Sequence, residues 1–168
     1  MVKEIILQLL FSEVTKIQFY GLIFLLGSFT VASLSDLRRM AAQKDFMEVW
    51  LLFTVIISLY DIYLVWNETL TPSGFFLKWI LIVGFALASW KYVHFLFSLA
   101  DMDIAAITSM ASLLSPFYII VFYLLLLILN HIMAPSLKKF GNGFLYPFLP
   151  VVFTSSVLIL IIVILNFV

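Results

Sequence analysis

The sequence predicts an all-α polytopic membrane protein, with six transmembrane helices preceded by a short amphipathic N-terminal segment. Three observations predict it. Hydrophobic residues make up 65% of the chain and charged residues only 11%, whereas a soluble domain needs about 25% charged residues to wet its surface. The apolar runs are long and do not alternate, so helices are the economical way to satisfy their backbone. The charges cluster mainly at the ends of these runs.

Composition also excludes several functions. Nine basic and nine acidic residues cancel, leaving no footprint for nucleic acid. The absence of cysteine removes disulfides, thiolate metal sites and cysteine nucleophiles. His94 and His131 are too isolated for a metal cluster, and no glycine-rich phosphate loop occurs. No cofactor and no metal are expected. No internal repeat or long hydrophilic segment is evident, so residues 1–168 read as a single membrane domain.

Residues 1–16 mix apolar side chains with Lys3, Glu4, Glu13 and Lys16. This segment lacks the pattern of a cleaved secretory signal. It is expected to lie in the interface with Ile5, Ile6, Leu9, Leu10 and Val14 buried. Residues 17–35 carry no charge and are 19 long, close to the roughly 20 needed to span. Stepping back from Asp36 along one helical face gives Ala32, Ser28, Leu25 and Gly21. That mostly small face favours close packing and places Asp36 toward the interior.

A basic loop follows, with Arg38, Arg39, Lys44 and Asp45. The second span is expected over 49–66 and contains Asp61. Asp61 reads as an acid near the headgroups, inside an aromatic belt of Tyr60, Tyr63 and Trp66. Asn67-Glu68-Thr69 matches a glycosylation acceptor pattern that is common by chance. The third span is expected over 75–90, with Lys78 snorkelling from its start. The fourth is expected over 99–114, a short one stopped by Ser115-Pro116, and the fifth over 116–133. The sixth covers 146–168 and opens with Pro147-Phe148-Leu149-Pro150. Proline suits a first helical turn, where the missing N–H has no partner anyway.

With six spans, the loops after the first, third and fifth hold Arg38, Arg39, Lys44, Lys91, Lys138 and Lys139. The other side holds Lys3, Lys16 and Lys78. This bias points the ends carrying Asp36 and Asp101 to the cytoplasm. A carboxylate in or beside hydrocarbon is a functional-site hypothesis by default. Two at one depth in a low dielectric share a proton near neutral pH, the arrangement by which aspartic proteases activate water. Asp36 and Asp101 are therefore the candidate catalytic pair. Asp103, two residues on and roughly 200° around the helix, cannot share a partner with Asp101. Bland roles compete: Asp36 neutralised by Arg38 or Arg39, and Asp101 and Asp103 capping a helix start.

Three segments together resemble the type IV prepilin peptidase family, particularly its archaeal preflagellin and prepilin peptidases. In that family a first aspartate ends the first helix before a basic loop, which resembles Ser35-Asp36-Leu37-Arg38-Arg39. A second closes a Gly-x-Gly-Asp motif at the start of the fourth helix, where this chain has Ser98-Leu99-Ala100-Asp101. The last helix opens with Pro-Phe-x-Pro, matched by Pro147, Phe148 and Pro150. The chain departs from the family at Ser98 and Ala100, which replace glycines, and at Asp103, where lysine is common. The resemblance implies a six-helix intramembrane aspartic endopeptidase of the cell membrane, with its active site toward the cytoplasm. Its substrates would be pilin- or archaellin-like precursors carrying a short basic leader, and its other partner is membrane lipid. Asp45, Glu48 and Asp103 are candidate leader contacts by charge. A non-enzymatic bundle is the alternative: a transporter, a proton-relay subunit or an inactive relative. It predicts that Asp36 and Asp101 are apart, or that one is tied to Arg38, Arg39 or Lys91.

Overall fold

A computed structural model describes residues 15–39, 44–93, 95–97, 99–140 and 146–167. The expected amphipathic segment lies almost wholly outside the described residues, as does Ser98. The elements are α1 (Lys16–Arg39), α2 (Lys44–Trp66), α3 (Pro72–Ser89), α4 (Asp101–Ser112), α5 (Pro116–Leu137) and α6 (Leu149–Phe167). A single 3-10 turn, Lys138–Phe140, extends α5.

Local chemistry sets several of these limits. Thr71 caps α3 by accepting the Gly74 amide on its Oγ1 at 3.2 Å, and Pro72 opens the helix. Pro116 opens α5 behind Ser115. Both prolines sit where the helix has no amide partner to offer. Pro135 lies inside α5, just before the tightening into the 3-10 turn. This fits the loss of an intrahelical hydrogen bond at proline.

The helices are those of a membrane-embedded protein. α1, α2, α3 and α5 are long and apolar enough to cross a bilayer, and α6 adds a shorter apolar stretch, Leu149–Leu165. The six expected helices are all present, but the expectation of six spans is corrected at α4. That helix has 12 residues, roughly 18 Å at about 1.5 Å per residue, against a hydrocarbon core of about 30 Å.

The position of α4 explains why it can be short. It packs against α1, α2, α3 and α6, while α1, α6, α5, α3 and α2 neighbour one another in turn around it. Lipid need not touch it. Ala105, Ala106, Ile107, Ser109, Met110, Ala111 and Ser112 are all buried. Its hydroxyls donate back to its own carbonyls: Thr108 to Ile104, Ser109 to Ala106 and Ser112 to Ser109. Small side chains and internally satisfied hydroxyls let surrounding helices approach an apolar cylinder.

The expected packing face of α1 is present. Leu25 and Ala32 are fully buried, and Ser28 accepts the Trp50 indole N–H from α2 at 3.0 Å. A Cβ on Gly21 would stand 3.0 Å from Leu113 Cδ2 and 3.1 Å from Phe53 Cζ. The α1 backbone thus meets the far end of α4 closely.

The candidate acid-pair site

The site lies where α1 ends, α4 begins and α6 begins. Asp36 is buried in the last turns of α1, and its Oδ2 accepts the Leu149 amide at 3.3 Å. The Phe148 amide is turned on the same carboxylate. Leu149 is the first residue of α6, so its N–H has no partner within the helix. Pro150 offers none at all. The Pro147-Phe148-Leu149-Pro150 element therefore aims donors outward, and Asp36 receives them. Pro147, Phe148 and Pro150 are all buried, and the Phe148 ring meets Phe97 edge-on at 5.6 Å. This gives the sequence element a defined role: it seats Asp36.

The acid turned toward Asp36 is Asp103, and Asp101 is held elsewhere. Asp101 is exposed at the first position of α4. Its Oδ1 accepts the Trp90 indole N–H at 2.8 Å, and its Oδ2 takes the Lys91 ammonium at 2.9 Å. Those two donors, Trp90 first, hold its carboxyl below the usual carboxylate range. The Asp101 hydrogen bond in turn raises Lys91. Asp103 instead turns inward and feels the Asp36 charge. Burial, then that charge, push Asp103 up to about 7, opposed by the Ala100 amide. Ala100 precedes the helix as its cap residue, and its N–H donates to Asp103 Oδ2 at 3.3 Å. The described structure thus brings Asp36 toward Asp103 and ties Asp101 to the loop before α4.

Tyr146 completes the site. Its hydroxyl donates to Asn130 Oδ1 on α5. Burial raises its phenol, and the Asp103 charge adds to the shift. Neither residue was singled out from the sequence. Asn130 does break a long apolar run, and Tyr146 directly precedes the proline element, so both left a signal.

No family model, no curated protein and no solved structure matches this chain. The likeness to prepilin peptidases rests on the three sequence elements alone.

Two other expected contacts, Asp45 and Glu48, sit exposed at the start of α2. Glu48 pairs with Lys44 at 3.4 Å, one helical turn away. Asp103 is half-buried and turned toward Asp36, which removes it from the surface a leader would first meet.

At the opposite end of the bundle the headgroup reading of Asp61 is corrected. Asp61 is 1% exposed and Lys78 4% exposed, and Lys78 Nζ reaches Asp61 Oδ2 at 2.7 Å. Trp79 Nε1 donates to the same oxygen at 3.2 Å. Lys78 does not snorkel to water. It bridges α3 to α2, because a buried charge needs a partner.

Proposed function

We propose that this chain is an intramembrane aspartic endopeptidase whose acid pair is Asp36 and Asp103. One observation carries the reading: the buried Asp36 carboxylate, seated on the start of α6, acts on an inward-facing Asp103 at the start of α4. Two interacting carboxyls with one proton between them can polarise a water and a carbonyl together. Asp103 holds the proton and donates it to the scissile carbonyl oxygen. Asp36 takes a proton from the attacking water as its oxygen bonds to the carbonyl carbon. The C–N bond then breaks as Asp36 passes its proton to the leaving nitrogen and a diol hydroxyl returns its proton to Asp103, which leaves a carboxylic acid and an amine and restores the pair.

The substrate class follows from resemblance: pilin- or archaellin-like precursors with a short basic leader before a hydrophobic helix. Asp45 and Glu48 lie at the α2 start, at the acid-pair end, and supply charge complementary to such a leader. The excess of Lys and Arg in the loops at this end supports its facing the cytoplasm in the cell membrane.

A second reading is favoured by the Lys91–Asp101 pair. A non-enzymatic bundle predicts that one of the two motif acids is neutralised by a neighbouring cation, and Asp101 is. On that reading the Asp36–Asp103 pair relays protons or only holds helices together.

Cleavage of precursors with basic leaders by the purified protein separates the readings. The peptidase reading expects cleavage by the native chain and by Asp101→Asn, and none by Asp36→Asn or Asp103→Asn. Substantial cleavage by either of those last two sinks the pair. Absence of cleavage across a broad precursor panel favours the non-enzymatic bundle.

A further inference from the structure

The segment joining α3 to α4 is short, aromatic and turned outward. Tyr92 is 72% exposed and Phe95 80%, and Val93 and Leu96 are exposed beside them. These side chains continue the outward apolar stripe of α3, formed by Phe76, Ile80, Val83 and Leu87. That stripe lies on a membrane-crossing helix and meets lipid tails.

The position of the segment matches a bilayer boundary. α3 has 18 residues, about 27 Å at 1.5 Å per residue, close to the roughly 30 Å hydrocarbon thickness. At the other end of the α2–α3 hairpin stand exposed Tyr63 and Trp66. Trp90 and Tyr92, with rings 5.0 Å apart, stand at this end. The hairpin thus carries aromatic groups at both ends of one hydrocarbon thickness, where amphipathic rings are enriched. Lys91 lies over the Tyr92 ring at 5.2 Å, with its ammonium on Asp101.

The backbone is prepared for the same environment. The Val93 amide donates to the Trp90 carbonyl, the Phe95 and Leu96 amides to Ala88, and Leu99 to Ser89. These four amides, costly to bring away from water unpaired, already have partners.

We infer that Tyr92, Val93, Phe95 and Leu96 form an interfacial anchor that inserts into the lipid boundary layer beside the acid-pair end of the bundle. The anchor fixes more than the loop. Trp90 and Lys91 both hold Asp101, and Leu99 pairs with the end of α3. The first turn of α4, with Asp103 in it, is thereby set at the depth of the lipid boundary.

The chain has no cysteine, so single cysteines can be spin-labelled one at a time. Tyr92→Cys and Phe95→Cys are read in proteoliposomes by collision with oxygen, which concentrates in lipid, and with a nickel chelate, which stays in water. Asp45→Cys gives the water reference and Ile80→Cys the lipid reference. The inference expects an oxygen-to-chelate ratio severalfold above that of position 45 and below that of position 80, which lies at the middle of α3. A ratio equal to that of position 45 overturns it by placing the loop in water. Poor collision with both reagents also overturns it, by showing a protein cover such as a second copy. Two labelled positions keep the test valid if one substitution prevents folding.

Discussion

Asp36 on the first described helix accepts the amide of Leu149, 113 positions later, at the first residue of the last helix. This one contact fastens the two ends of the described bundle and sets a buried acid against α4. It also gives Pro147 and Pro150 a physical reason to flank the contact. Prolines fix the chain direction and leave the intervening amides free for a partner outside the helix.

Asp103 makes stability depend on pH. Burial and the Asp36 charge raise its pKa from the usual carboxylate range, about 4, to about 7. Between those values the folded chain keeps a proton that the unfolded chain has released. Stability therefore falls as pH rises through that window and levels off above it. Asp103→Asn makes this slope shallower, which unfolding midpoints in detergent across the window will show. If the pair is catalytic, cleavage by the native chain also declines as pH rises through about 7, because the donated proton is gone. The groups facing Asp103 in this account are Asp36, Tyr146 and the Ala100 amide.

The Asp61–Lys78 pair behaves as a buried ion pair. Removing one partner leaves an uncompensated charge, a loss of about 3–5 kcal/mol. Asp61→Leu and Lys78→Leu should each lower unfolding stability by that order. The double variant should recover most of the loss, because a matched apolar replacement of both is often close to neutral. A double variant as unstable as the sum of the singles contradicts this account of the contact.

Gly21 tests the packing of α1 on α4. The atoms that a new Cβ would meet are side-chain ends of Leu113 and Phe53, at 3.0 and 3.1 Å. Gly21→Ala should be accommodated by small side-chain shifts. Gly21→Leu overpacks the contact and should cost about 1–3 kcal/mol. Equal stability of the two variants would show that α1 and α4 are not in close contact there.

Much of the fold was legible in the sequence. The apolar runs located all six helices, and the small face of α1 from Gly21 to Ala32 pointed inward as expected. α4 was overextended as a span because an apolar run does not distinguish a helix in lipid from one enclosed by other helices. The same enclosure hid the site. The face of Asp101, with Ala105 and Ser112, is buried, and so is the face of Asp103, with Ile107 and Met110. Counting helical steps therefore could not say which acid turns inward. The deciding residues, Trp90 and Lys91, lie in the preceding loop and capture Asp101. Asp61 and Lys78 did leave a readable signal. They stand nearly symmetrically about the turn near Thr69, and antiparallel helices joined there bring such positions together.

The central claim is that Asp36 faces Asp103 and not Asp101. With no native cysteine, double variants with cysteine at 36 and 103, or at 36 and 101, can be joined by oxidation or a short bifunctional thiol reagent in membranes. The account predicts efficient joining of 36 to 103, and little joining of 36 to 101. Efficient joining of 36 to 101, with none of 36 to 103, would contradict it and return Asp101 to the pair.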